Sequence, residues 1–282
     1  MRVKQNCKIN IGLKVLNKRM DGYHNLISVF VPISLYDTLT FRLAPKEIKV
    51  KTKGILQEKN IVYQTAKFIQ QEYNVNKGMK IHIYKKIPIE AGLGGGSANA
   101  AMTIKMCSKL WRLNLSFEEM IKIAEKIGSD VPFFVRNELA IVSGRGEIIE
   151  DLKSTIKIFA LLIKPEFGLQ TKEVFSHLHQ KNENNKIEDV ILGFKENNLK
   201  KITDHMQNDL EKGISYDSAK KEVILRIKKD LIDVGAINSS MSGSGSCVYG
   251  IFENSKESRK AKKILIKKGY SRRNLFIVNS IG

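Results

Sequence analysis

The residues from Ile87 to Ala101, IPIEAGLGGGSANAA, place Gly92, Gly94, Gly95 and Gly96 in a tight turn between a strand-like and a helix-like run. Residues without a Cβ let the chain bend through φ > 0 and lay backbone N–H groups against an anion. Ser97 is expected to open the helix. The first turn of that helix directs unpaired N–H groups and a positive dipole end back at the loop, which suits triphosphate oxygens. A Walker A loop is excluded, because Ala98 and Asn99 follow Ser97 where Lys and Ser/Thr would stand, and GxGxxG is absent. Taken alone, the same glycines also suit a plain turn joining two elements.

Three other places carry polar residues in suggestive company. NKRMDGYHN (17–25) holds the turn signal Asp21-Gly22 and sets Tyr23 and His24 on or just beyond a hairpin. GSDVPFFV (128–135) puts Asp130 just past a helix stop, where an ordinary turn aspartate before a proline would look the same. MSGSGSCVYG (241–250) has the small residues of a close-packed strand turn.

The elements that must hold these residues follow from periodicity. IHIYKKI (81–87) alternates before Pro88 and is expected to be a strand, and Ala100, Ile104, Cys107 and Trp111 make a helical face behind the loop. Ile9 and Ile11, then Val29, Val31, Ile33 and Leu35, alternate as strands, which excludes an all-helical fold. Asn60 precedes a helix with the face Val62, Ala66, Ile69 and Tyr73; Ser116 and Glu119 form a capping box for a helix that stops at Gly128. A second region begins near Ile156. IKIFALLIKP reads as a buried strand, TKEVFSHL as a short helix and QKNENNK (180–186) as an exposed loop. A helix with Ile224, Ile227, Leu231 and Val234 inward ends at Gly235; two strands flank SGSGS, and a helix near 257–268 and a strand LFIVN follow. That order suits a split βαβ sandwich.

At 282 residues the chain suggests two domains of about 130–150 residues each. With 42% hydrophobic and 27% charged residues it has the composition of a globular protein. No run approaches a membrane span and the N-terminus lacks a signal-peptide core, so the expectation is cytoplasmic. Cys7, Cys107 and Cys247 are too far apart and too few for a disulfide framework or zinc site and read as packed, reduced thiols. The net charge of +19 suits anionic ligands. It exceeds what steering requires, and the abundance of Lys, Ile and Asn suggests a compositional bias. The cluster RKAKKILIKKGYSRR (259–273) reads as a solvated helix face and turn.

Together CKINIGLKVLNKRMDGYH, PIEAGLGGGSANAA, GSDVPFFV and MSGSGSCVYG resemble the motifs of the galactokinase, homoserine kinase, mevalonate kinase and phosphomevalonate kinase superfamily, over nearly the whole chain. Within it the chain most resembles the kinases of 4-diphosphocytidyl-2-C-methyl-D-erythritol, with Cys7 where those carry alanine. The resemblance implies an α+β fold of two domains. Residues 1–154 would be an ATP-binding domain like domain 2 of ribosomal protein S5, and residues 155–282 a ferredoxin-like substrate domain, with ATP and substrate meeting between them.

The implied reaction moves the γ-phosphoryl of ATP, carried as Mg-ATP, to the tertiary 2-hydroxyl of the cytidyl alcohol. Asp130 matches the family's catalytic base and Lys8 its ammonium partner. Pro88, Ile89, Glu90, Ala91, Gly92, Leu93, Gly94, Gly95, Gly96, Ser97 and Ala98 match the nucleotide loop, and Asn60 a position near the adenine or ribose. Glu90 stands where many relatives hold glycine or a small residue and is expected to point outward. Ala98 replaces a usual serine, a loss of about 0.5–1.5 kcal/mol if that hydroxyl touches phosphate or metal. Tyr23 and Phe175 match the cytosine-stacking positions and His24 the group that reads the base edge. Asn10 matches a contact near the methylerythritol end and Thr171 one on the cytidine side, while Gly243, Ser244 and Gly245 would close over the diphosphate. As alternatives, Tyr23 and His24 suit a turn and Phe175 a core contact. Small molecules are the expected partners, with no membrane, no nucleic acid and a monomer or homodimer. The competing functions are a homoserine- or mevalonate-type kinase, a weakly active paralogue, and an RNA-binding protein, for which no RNP or KH motif is present.

Overall fold

In the computed structural model, residues 1–178 and 184–281 are described. Residues 180–183 of the expected loop 180–186 lie outside them, and Asn185 is buried. Two compact units form: one from Met1–Cys7, Leu35–Pro88 and Gly94–Asn137, the other from Lys8–Ser34, Ile89–Leu93 and Glu138–Gly282. Strands β1 (Arg2–Lys18) and β2 (His24–Ala44) pair as a hairpin and contribute residues to both.

In the first unit, strand β4 (Gly78–Tyr84) lies between the end of β2 and strand β3 (Ile48–Thr52). It pairs antiparallel with β2 from Thr38↔Tyr84 to Ala44↔Gly78, and parallel with β3 from Ile48↔Met79 to Thr52↔Ile83. The crossover helix α1 (Ile61–Glu72) buries Val62, Ala66 and Ile69, the expected face, while Tyr73 is its C-cap. Helices α2 (Gly95–Leu110), α3 (Phe117–Ile127) and α4 (Val131–Arg136) complete the unit. Both halves of the Ser116–Glu119 capping box are made. Helix α3 stops at Gly128, whose φ of 172° is extended backbone that any residue adopts.

Two expected boundaries move. The strand over 81–87 instead covers Gly78–Tyr84, because the buried Asp37 carboxylate takes the N–H groups of Lys86 (2.7 Å) and Ile87 (2.9 Å) out of the ladder. The glycine-loop helix opens at Gly95, two residues before Ser97, because Gly94 reaches the left-handed region (φ 67°, ψ 18°) and serves as its N-cap.

In the second unit, strand β5 (Ala140–Gly144) pairs with the start of β2 and with strand β6 (Ile148–Asp151). A separate antiparallel sheet contains β7 (Phe159–Ile163), β8 (Asn238–Met241), β9 (Val248–Phe252) and β10 (Leu275–Asn279) in the order β10-β7-β9-β8. Numbered along the chain that is 4-1-3-2, the split βαβ order, with α8 (Ser218–Asp233) and α9 (Ser255–Lys267) as the crossover helices. Ile224, Ile227 and Leu231 of α8 and Ala261 and Leu265 of α9 pack on Leu161, Ile163, Val248, Phe252 and Leu275. The short helices α5 (Thr171–Ser176), α6 (Ile187–Lys195) and α7 (Leu199–His205) lie between β7 and α8. All three cysteines are buried and none is in a disulfide, and burial alone raises the Cys107 thiol far out of the reactive range. Among the described residues, no helix is long and apolar enough to cross a membrane.

Candidate active site

In the first unit, Asp37 is the anchor of the glycine loop. Beyond the two N–H bonds, its carboxylate accepts from Lys85 Nζ and from Asn99 Nδ2 (2.8 Å), tying the end of β4 to the second turn of α2. A Cβ on Gly95 would lie 2.7 Å from Ile87 Cγ2, so the chain passes too closely there for any larger residue. No side chain caps α2 and no acidic residue stands in its first turn, which leaves the Gly95, Gly96 and Ser97 N–H groups directed at the loop side with the positive end of the dipole. Pro88 and Ser97 are half-buried.

Ala98 and Asn60 turn inward. Ala98, in the first turn of α2, is 0% exposed. Asn60 caps α1 by accepting from Val62 N (3.0 Å) and donates to Thr52 Oγ1 (3.1 Å); both ends of its amide are engaged in structure. Asp130 is the N-cap of α4, and its side chain makes no capping hydrogen bond there. Buried Val131, Pro132, Phe133 and Phe134 fix the turn that carries it.

In the second unit the other half of the loop packs on the turn between β8 and β9. Cys247 N donates to Ala91 O (3.2 Å) and Ser246 N to Glu90 O (3.3 Å), while Lys8 N donates to Leu93 O (3.2 Å). Ile89 is exposed. Glu90 is exposed too, has φ 51° and leans on Gly168; that backbone favours glycine. A Cβ on Gly92 (φ 69°) would lie 1.8 Å from the Ser242 carbonyl oxygen. Gly92→Ala is therefore expected to destabilise the protein by about 2–4 kcal/mol in urea unfolding, from strain and overpacking together. Gly22→Ala (φ 83°, nothing within 4 Å) should cost only about 1–2 kcal/mol.

The Lys8 ammonium is 3% exposed and sits 4.4 Å from the Phe30 ring centroid; it donates to Asn10 Oδ1 (2.5 Å) and Gly92 O (3.1 Å). Asn10 is held from every side: its N–H donates to Ser242 Oγ (3.3 Å), its carbonyl accepts from Tyr249 Oη (2.7 Å), and its Nδ2 donates to Ser28 Oγ (3.0 Å). Gly243 and Gly245 take left-handed backbone, and Asn208 Nδ2 secures the turn through Met241 O (2.8 Å) and Gly243 O (2.7 Å). The structure thus gathers Lys8, Asn10, Gly92 and Gly243, and separately joins the Thr171 and Ser244 hydroxyls (2.8 Å). Asp37, Ser28 and Asn208 lie outside every motif the sequence offers, and Ser242 lies inside MSGSGSCVYG without being marked; each is a small polar residue with partners far along the chain.

Of the three aromatic residues, His24 and Phe175 meet and Tyr23 stands apart. Phe175 stacks on His24 (centroids 5.5 Å apart, 24° between planes) while packing on the core cluster, whereas Tyr23 is 54% exposed beneath the Arg145 guanidinium (5.5 Å). The five-residue turn 19–23 explains the split: Tyr23 N bonds Asp21 Oδ1 (3.1 Å) and Tyr23 O accepts from Arg19 N (2.7 Å), which holds Tyr23 at the tip while His24 enters β2. Desolvation, then the Lys18 charge, hold the His24 ring below its ordinary pKa of 6.5. A depressed histidine weakens the fold as pH falls below 6.5, because the unfolded chain takes up the proton first. Lys18→Gln is expected to raise the His24 midpoint in an NMR titration; an unchanged midpoint would leave desolvation as the sole cause.

Residues 60–138 match the family model for the N-terminal domain of GHMP kinases and residues 190–271 that for their C-terminal domain. The chain is 41% identical over 262 residues to the 4-diphosphocytidyl-2-C-methyl-D-erythritol kinase of Caldanaerobacter subterraneus subsp. tengcongensis, covering 90% of this chain and 88% of that one. It is 36% identical over 289 residues to the kinase of the same name in Clostridioides difficile, covering 99% and 95%. Among solved structures, a 4-(cytidine 5'-diphospho)-2C-methyl-D-erythritol kinase matches with a TM-score of 0.84 at 24% identity, covering all of both chains. A homoserine kinase from Cytophaga hutchinsonii matches with a TM-score of 0.71 at 19% identity over 99% of this chain and 94% of its own. The chain belongs to the GHMP kinases and, within them, to the family of 4-diphosphocytidyl-2-C-methyl-D-erythritol kinases.

Proposed function

We propose that this protein transfers the γ-phosphoryl group of ATP to the 2-hydroxyl of 4-diphosphocytidyl-2-C-methyl-D-erythritol, a step of isoprenoid biosynthesis by the non-mevalonate route. The similarity to kinases of that name along nearly the whole chain carries the reading. In it, the N–H groups at the start of α2 receive phosphate oxygens, Asp130 takes the hydroxyl proton, and Lys8 neutralises charge at the reacting oxygens. His24 and Phe175 sit on the cytosine, with Tyr23 folding over it from the hairpin tip. Asn10 reaches the methylerythritol end, and Thr171 with Gly243, Ser244 and Gly245 the cytidine diphosphate. Asn60, which caps α1, stands near the adenine or ribose.

Among the described residues, no three His, Cys, Asp or Glu side chains gather as a metal cage. Mg²⁺ is commonly carried on substrate phosphates with one or two protein oxygens. Ser97 Oγ is the oxygen that would hold it. Bound there, the ion would neutralise charge on the transferring group. In this reading residues 1–154 carry the ATP loop together with the substrate contacts Asn10, Tyr23 and His24, residues 155–282 carry the remaining substrate contacts, and the protein acts as a cytoplasmic monomer or homodimer that needs no nucleic acid.

The test is a coupled assay of the purified protein with ATP and, separately, the cytidyl alcohol, homoserine and mevalonate. Turnover of the cytidyl alcohol alone is expected. Phosphorylation of homoserine or mevalonate in its place would overturn the reading.

A further inference from the structure

Behind Lys8 and Asn10, the second unit buries a serine that no step above uses. Ser28 is 0% exposed and stands in β2 opposite Val142 of β5. Its Oγ lies 2.6 Å from Gly12 O, which can only accept, so the hydroxyl proton is committed there. Only the lone pairs of Oγ remain, and they face Asn10 Nδ2 at 3.0 Å. On the other side of the carboxamide stands the Lys8 ammonium, which has donors and no acceptor. Gly12 O, Ser28, Asn10 and Lys8 therefore form one directed chain in which every polarity is fixed. Turning the amide over would set NH₂ against NH₃⁺ and oxygen against oxygen.

We propose that Ser28 is a positioning residue for phosphoryl transfer, keeping the Asn10 amide oxygen turned toward Lys8. Lys8 already divides its donors between Asn10 Oδ1 and Gly92 O, so it is not dedicated to that amide. Once the ammonium is shared with the oxygens of the reacting groups, its hold on Asn10 weakens, and the bond from Asn10 to Ser28 keeps the carboxamide in place. Little room exists to compensate, since a Cβ on Gly243 would lie 3.0 Å from Asn10 Oδ1. The inference rests on the phosphotransfer reading for its kinetic consequence, while the orientation itself is a property of the free protein.

Two measurements test it. By NMR, the Asn10 carboxamide protons, assigned by their loss in Asn10→Ala, should be slow to exchange in the wild type and lose that protection in Ser28→Ala. In the coupled assay, run well below the unfolding midpoint, Ser28→Ala should lower kcat about tenfold, the worth of one lost hydrogen bond, with KM for ATP within about twofold. Ser28→Thr, which keeps the hydroxyl, should restore most of the rate, and Ser28→Ala should add little to Asn10→Ala. A purely packing role would multiply with Asn10→Ala and would leave the amide protons protected; either outcome overturns the proposal. If the wild type phosphorylates none of the alcohols, the functional reading fails, and the exchange experiment still decides the role of Ser28.

Discussion

Asp130→Asn is expected to lower kcat by about 10²–10⁴-fold while KM for both substrates stays within about threefold. The substitution keeps the shape of the side chain and removes its ability to take a proton. It should also leave the fold intact. The carboxylate makes no capping bond to α4, and the turn that carries it is held by buried Val131, Pro132, Phe133 and Phe134 beneath it. Circular dichroism and the unfolding midpoint should therefore match the wild type to within a few degrees. The size of the loss separates two roles. In a loose transition state the hydroxyl proton leaves late, so a group that mainly orients the nucleophile would cost nearer 10², whereas an obligatory proton acceptor would cost nearer 10⁴. A loss below tenfold would remove Asp130 from the chemistry altogether.

Local signals were the readable ones. The Ser116–Glu119 box, the Gly235 stop and the face of Ile224, Ile227 and Leu231 depend on neighbours within one or two turns, so sequence spacing suffices. The βαββαβ order of the second sheet was legible for the same reason, element by element. Asp37 was not. Its partners are at 85–87 and 99, and nothing around LYDTL marks a buried carboxylate that ends one strand and tethers the next helix. Ser28 looks like strand filler until the chain brings Asn10 against it, and the role of Ser242 within its small-residue turn shows only when residues 10 and 92 meet it. The hairpin tip shows a different limit. Family resemblance supplied Tyr23 as a stacking ring, but the hydrogen bonds of a five-residue turn decide which of Tyr23 and His24 meets Phe175.

Lys8→Met tests the other half of the proposed chemistry, with an expected fall in kcat of about 10²–10³-fold, the usual cost of one lost donor at developing negative charge. Methionine keeps the length of the stem and removes the ammonium, which lies 4.4 Å from the Phe30 ring centroid and serves Asn10 Oδ1 and Gly92 O. Two opposing effects act on stability. Those two acceptors lose a donor, at about 1–3 kcal/mol for buried groups, while the cost of keeping a charge at 3% exposure disappears. The variant should consequently unfold close to the wild-type denaturant midpoint even though it has lost most of its activity. That dissociation is the informative result. A Lys8→Met protein that is both inactive and strongly destabilised would mark Lys8 as a structural tie between β1 and the glycine loop, and would move the charge-neutralising role to the N–H groups of α2. A stable variant that retains kcat would remove Lys8 from the site while leaving the Asp130 prediction untouched.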